Sequence, residues 1–219
     1  MFRARYRSSI AFALLFAIAM AYFEAAVVVY LRQLYYPDGF SFPLRIAPTK
    51  IIVIELIREL STLVILVAVA AVAAKRFWER FGYFVMIFGV WDIFFYVWLK
   101  ATTNWPSSLL EWDVLFLLPV PWIGPVIAPV LVALMMAVAG FLIIRLFALG
   151  YTFRPTSLGW LLAILGTAAI LYSFMRDTDA GLRGQMPQPY LYYMLIIGLM
   201  LYIAGFIHCY RRSRGGGSL

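Results

Sequence analysis

One cysteine, Cys209, and one histidine, His208, occur in 219 residues. A lone cysteine closes no intramolecular disulfide, and a thiolate metal site would have to be shared between chains. A lone histidine excludes bis-histidine haem ligation within the chain, and with it a cytochrome b architecture. No HExxH pair, GxSxG elbow or P-loop is present. Their absence removes the His-based zinc protease, the usual hydrolase elbow and the nucleotide motor. Charge is scarce too, at 13% of residues, against about 25% in a soluble domain. An inverted-repeat transporter would carry corresponding helix breaks in both halves, and the two halves of this chain show none.

What fills the sequence is apolar. Hydrophobic residues make up 65% of it, and several runs exceed the roughly 20 residues that cross a bilayer as a helix. The pattern predicts an all-α, polytopic membrane bundle with six transmembrane helices, at about 9–32, 50–74, 81–101, 124–148, 156–175 and 190–210. Residues 1–214 form one transmembrane domain in this reading, and Gly215 to Leu219 resemble a linker or tag remnant. The first span follows Arg3, Arg5 and Arg7 without a small-residue cleavage site, so it reads as a retained helix and not a signal peptide.

The net charge of +8 does not imply nucleic acid, because the charges sit in short loops between spans. The N-terminus, the loop Lys75–Arg80, the region Arg145–Arg154 and the tail Arg211–Arg214 hold eleven of the eighteen basic residues and a single acid, Glu79. The opposite loops hold six basic residues and five acids. Lys and Arg accumulate on the cytoplasmic side, so both termini are expected there, in a bacterial inner (plasma) membrane. Tyr35, Tyr36, Trp78, Trp98, Trp105, Trp112, Trp122 and Trp160 fall near the expected interfaces, where amphipathic rings anchor at headgroup depth.

Two outer loops are longer than spacers need to be. Gln33–Thr49 contains a Pro-Asp-Gly turn and two further prolines. Thr102–Pro121 contains Ser107-Ser108 followed by Glu111, a passable helix start. It then runs through Val114–Leu118 into Pro119, Pro121, Pro125 and Pro129, a density that no regular helix interior tolerates. A short helix lying on or dipping into the outer face is expected here, followed by a break and a fourth span beginning near Ile123. Irregular backbone at that depth needs protein or water to satisfy it, so this segment should cap the bundle. Gly140, Gly159 and Gly166 are the small residues that would permit close helix approach.

Five ionisable residues interrupt the first three spans: Glu24, Glu55, Arg58, Glu59 and Asp92. Such residues at membrane depth cost several kcal/mol unless paired, hydrated or protonated, and they mark functional sites by default. At 1.5 Å per helical residue, Glu24 and Asp92 lie about 12 Å below the outer boundary, and Glu55 and Glu59 about 8 and 14 Å. Glu55, Arg58, Glu59 and Thr62 recur at i, i+3, i+4 and i+7, one polar stripe that must turn inward. Trp91 and Tyr96, beside and one turn beyond Asp92, could line the same cavity. Arg58 can neutralise one carboxylate by a bidentate bond but not four.

Protonation, a bound cation or water must therefore compensate the rest. The leading expectation is binding or translocation of a cation or proton, with Glu24, Glu55, Glu59 and Asp92 as ligands or carriers and Arg58 as counter-charge. Carboxylates without His or Cys suit protons or hard cations such as Mg²⁺, Ca²⁺ or Mn²⁺, and no cofactor is implied. Two alternatives stand beside it. One is an intramembrane enzyme using carboxylate acid/base or metal-assisted chemistry on a lipid or quinone-like substrate. The other is an accessory subunit of a larger complex, in which the polar network only fixes helix registry. The expected partners are the bilayer, a small cation or proton, a lipid-like ligand and further copies in an oligomer, and not nucleic acid.

Overall fold

The computed structural model describes residues 2–45 and 47–215. Of the stretch read as a tag remnant, Gly215 closes the last helix and residues 216–219 lie outside the described residues. The order of elements is α1 (Phe2–Tyr35), α2 (Thr49–Ala73), α3 (Phe77–Thr103), β1 (Trp112–Phe116), β2 (Trp122–Pro125), α4 (Ile127–Ala148), α5 (Ser157–Met175), α6 (Thr178–Leu182) and α7 (Tyr192–Gly215). Five of these helices, α1, α3, α4, α5 with its extension through α6, and α7, are long and apolar enough to cross a membrane. Every long helix shows bulky apolar side chains on its outside, among them Leu15, Ile57, Val64, Val72, Leu134, Ile164 and Met200. A water-facing surface rarely carries that much contiguous apolar area, whereas lipid covers it at no cost.

Small residues decide how closely the helices approach. Ala13, Ala17, Ala21 and Ala25 recur every fourth residue on α1, all buried on the face toward α3. Helix α3 crosses α4 at Gly89, where an added Cβ would run into the Ala133 carbonyl, and at Gly140, where it would run into the Gly82 carbonyl. Helix α5 meets α7 in the same manner through Gly166 and Gly198. Close backbone approach is how helices gain dispersion contact when lipid removes the hydrophobic incentive. The extensive contacts are thus α3 with α4, α1 with α3, and α5 with α7. Helix α2 leans mainly on α3 and touches α1 more lightly.

The segment between α3 and α4 departs from expectation. Instead of a short helix, residues 112–125 form a two-stranded antiparallel hairpin in the register Trp112↔Pro125, Asp113↔Gly124, Val114↔Ile123 and Phe116↔Trp122, irregular between Val114 and Phe116. The five-residue apolar run Val114–Leu118 is shorter than a helix and is closed by Pro119, so a short strand fits it as well as a helical turn. Ser107 does not start a helix either. Its backbone N–H reaches Glu111 Oε1 at 3.0 Å and its hydroxyl donates to the same oxygen, closing a turn. Asn104 ends α3 in the left-handed region at φ 59°, with its N–H bonded to the Lys100 carbonyl. The fourth long helix begins at Ile127 and not at Ile123, which puts Pro129 in its first turn, where its missing N–H costs nothing. Thr156 caps α5 by accepting the Gly159 N–H at 3.0 Å.

The hairpin plugs one end of the bundle. Trp122 stacks on Phe174 of α5 at 6.0 Å between ring centroids, and the Pro121 carbonyl accepts from Thr178 of α6 at 2.8 Å. At the other end, Tyr6, Trp78, Phe147, Phe153, Phe206 and Tyr210 pack together from α1, α3, α4, the α4–α5 loop and α7.

Candidate functional site

Helix α2 turns its polar stripe inward. Glu55, Glu59 and Thr62 are buried with Leu66 and Ala70 further along the same face. Arg58 extends from between them and reaches Glu55 Oε2 through Nε at 2.9 Å and Nη2 at 2.8 Å. Its Nη1 pairs with Glu24 Oε2 on α1. The other oxygen of Glu24 accepts a hydrogen bond from the Thr62 hydroxyl, which also lies 3.2 Å from the Arg58 carbonyl. One guanidinium is thus shared between two carboxylates from two helices, and both oxygens of Glu24 are satisfied.

Glu59 is placed differently. Its side chain is buried, and both of its oxygens accept from the backbone N–H of Leu117, at 2.9 and 3.2 Å, where the chain leaves β1. Among the described residues no Lys or Arg lies within ion-pair distance of it. Three carboxylates therefore surround a single arginine, and the hairpin supplies a neutral donor to the third.

Asp92 does not join this group, contrary to the expectation of one four-carboxylate site. It lies with Tyr96 beside Asp113 at the start of β1. Asp113 is bound through Oδ1 to Arg32 Nη2 at 2.8 Å and to the Val114 N–H at 2.9 Å. The Arg32 guanidinium is held between the rings of Phe40, 4.0 Å away, and Trp105, 3.8 Å away. A delocalised, weakly hydrated cation suits such a sandwich better than an ammonium. Burial pushes the Asp113 carboxyl above its usual range, and Arg32 beside it pulls it back down. Two buried atoms of this pair, Arg32 Nη1 and Asp113 Oδ2, have no hydrogen bond of good geometry, although the Tyr96 hydroxyl lies beside the carboxylate.

The residues expected to line a cavity fare unequally. Thr62 is a member of the Glu24–Arg58 group. Tyr96 is buried near Asp113, and Trp91 packs among the alanines of α1, its indole N–H without a partner. The two cavities of the molecule described here lie at the opposite end and touch none of these carboxylates. Among the described residues no three His, Cys, Asp or Glu come together in a metal-holding cluster. Arg32, Asp113 and Leu117 also belong to these groups, although in the sequence the first two stand only among the outer-loop charges and the third within the apolar run Val114–Leu118. The signal available for them was Arg32 with the aromatic residues Phe40 and Trp105 in the two overlong outer loops.

No protein-family model, curated protein or solved structure matches the chain. Fold and site together define an integral membrane helix bundle with charged residues buried inside it.

Proposed function

We propose that the protein binds and relays protons, or a small monovalent cation, through its buried carboxylates. In this reading α2 is a sixth span and both termini are cytoplasmic, in a bacterial inner membrane. The polar groups then occupy the outer half of the bilayer, and the Arg-rich end of the bundle faces the cytoplasm. Glu59 and Asp92 are the carriers, Glu24 and Glu55 the fixed anions, and Arg58 their counter-charge.

The observation that carries this reading is the commitment of Arg58 to Glu24 and Glu55, which leaves Glu59 buried against a backbone N–H with no ion pair among the described residues and Arg58 acting on it only from beyond ion-pair distance. A buried carboxylate without a counter-charge relieves its desolvation by taking a proton or a cation. Among the described residues no three acids stand close enough together to hold one metal ion, which favours the proton over a divalent metal. The hairpin, which bonds to Glu59 and carries Asp113 beside Asp92, bridges the two carriers.

Reconstitution into liposomes with an enclosed pH-sensitive dye tests this. Imposed pH or Na⁺/K⁺ gradients should collapse faster than in empty vesicles, and Glu59→Gln and Asp92→Asn should each remove most of that flux. Equal rates with and without protein, or full flux in both variants, would sink the proposal.

A further inference from the structure

The Arg-rich end of the bundle holds a cavity of about 460 Å³ that the carboxylate site does not use. It opens between the start of α3 and the start of α5, where Arg76, Trp78, Phe153, Arg154 and Trp160 are among its walls. Arg76 and Arg154 are exposed, and neither has a carboxylate within ion-pair distance among the described residues. The nearest acid in sequence, Glu79, is buried in the first turn of α3 and does not line the cavity. Two guanidinium groups thus face one space, and no carboxylate among the described residues pairs with either.

The walls explain where that space sits. Trp78 and Trp160 pack at 6.2 Å between centroids, and amphipathic indoles collect at headgroup depth. Phe153 stacks on Phe206 of α7 at 6.1 Å, and on the far side of that pair a second cavity of about 370 Å³ runs along Leu142 and Ile207 toward Arg211 and Arg214. Both α3 and α5 begin at the first cavity, so their N-terminal N–H groups add positive potential.

We propose that Arg76 and Arg154 form a binding site for the phosphate of an anionic lipid, with its acyl chains on the apolar flank of the bundle. Arginine clamps phosphate oxygens through its planar fork, and basic pockets between membrane helices select acidic headgroups. The site depends on the membrane reading alone and not on proton relay, so either can fail without the other.

The test uses the full chain purified in a neutral detergent. Binding is read by native mass spectrometry and by the shift in melting temperature on adding phosphatidylglycerol, phosphatidylcholine or inorganic phosphate. Phosphatidylglycerol should bind and stabilise, while phosphatidylcholine and inorganic phosphate should do neither. The Arg76→Gln/Arg154→Gln double variant should bind phosphatidylglycerol about thirtyfold more weakly, from the loss of two basic contacts. Arg183→Gln, at the opposite end, should bind like the parent protein. Should the double variant fail to fold, Arg154→Gln alone is expected to lose about fivefold. Equal binding of the two lipids would overturn the proposal. So would equal stabilisation by inorganic phosphate, or unchanged lipid affinity in the arginine variants.

Discussion

The two half-buried arginines are held in opposite ways. Arg58 sits on a regular helix and meets its partners by helical spacing, with Glu55 one turn back and Glu24 on the neighbouring helix. Arg32 sits at the end of α1 and is enclosed by Phe40 from the loop that follows and by two parts distant in sequence, Trp105 from another loop and Asp113 from the hairpin. The first keeps 22% of its side chain accessible and shares its charge between two acids, whereas the second keeps 11% and has one. An arginine with surplus acids and some access can trade one partner for another without leaving a lone charge. An arginine closed in by rings, with a single acid, is arranged to pin a loop.

Removing each guanidinium separates the two roles. Arg32→Met leaves Asp113 buried without its partner, and breaking a pair of this kind costs about 3–5 kcal/mol. The expected result is the largest fall in unfolding free energy of any variant here, measured by denaturant unfolding in micelles. The deficit should also depend on pH. Asp113 is already raised by burial and loses the one cation that lowers it, so its folded value climbs further above the unfolded one. In the variant the protonated carboxyl is tolerated and the ionised one is not, so the deficit should be smallest in acid and grow as pH rises. A deficit constant with pH would break the assignment of Asp113 as the partner that matters.

Arg58→Met should cost less, roughly 1–3 kcal/mol, because partial access lets water reach Glu24 and Glu55. Its effect on proton flux should exceed its effect on stability, the reverse of Arg32→Met. Lysine substitutions sharpen the contrast. Arg32→Lys should still cost about 1–2 kcal/mol, since an ammonium loses the planar contact with both rings. Arg58→Lys should cost less than about 1 kcal/mol, since a point charge between two carboxylates retains most of the attraction. The smallest stability change belongs to Glu59→Gln, under about 1 kcal/mol, because the amide oxygen still accepts the Leu117 N–H. Melting curves that place Glu59→Gln below Arg32→Met would reverse the ranking.

The same contrast explains how much was legible in the sequence. The long helices followed from hydropathy, and the inward stripe on α2 followed from spacing, because a helix carries its periodicity in the sequence itself. Helix ends were less legible: α1 extends to Tyr35 and α7 to Gly215, past the apolar runs, since exposed charged turns still satisfy their own backbone. The hairpin was hidden because five apolar residues fit either a strand or a helix turn, and the prolines forbade the helix without naming the strand. Common depth placed Asp92 with Glu24 and Glu59, but depth leaves azimuth open. On α3, Asp92 faces the hairpin and not Arg58. Arg32 and Asp113 are 81 residues apart, and no local rule joins them. Gly140 and Gly166 do stand at helix crossings, while their partners Gly82 and Gly198 carried no signal by spacing.

The hairpin strand is fastened twice, at Asp113 by Arg32 and just past Phe116 by Glu59, points about 13 Å apart along an extended chain. Thermodynamic reciprocity attaches a consequence to that double fastening. Whatever coupling free energy links the charge on Glu59 to the Arg32–Asp113 clasp through that strand is the same in both directions, so a change at either fastening shifts the other by that coupling. A mutation at the clasp is thereby a titration experiment on Glu59 performed from a distance, and the sign of the coupling can be read from either end.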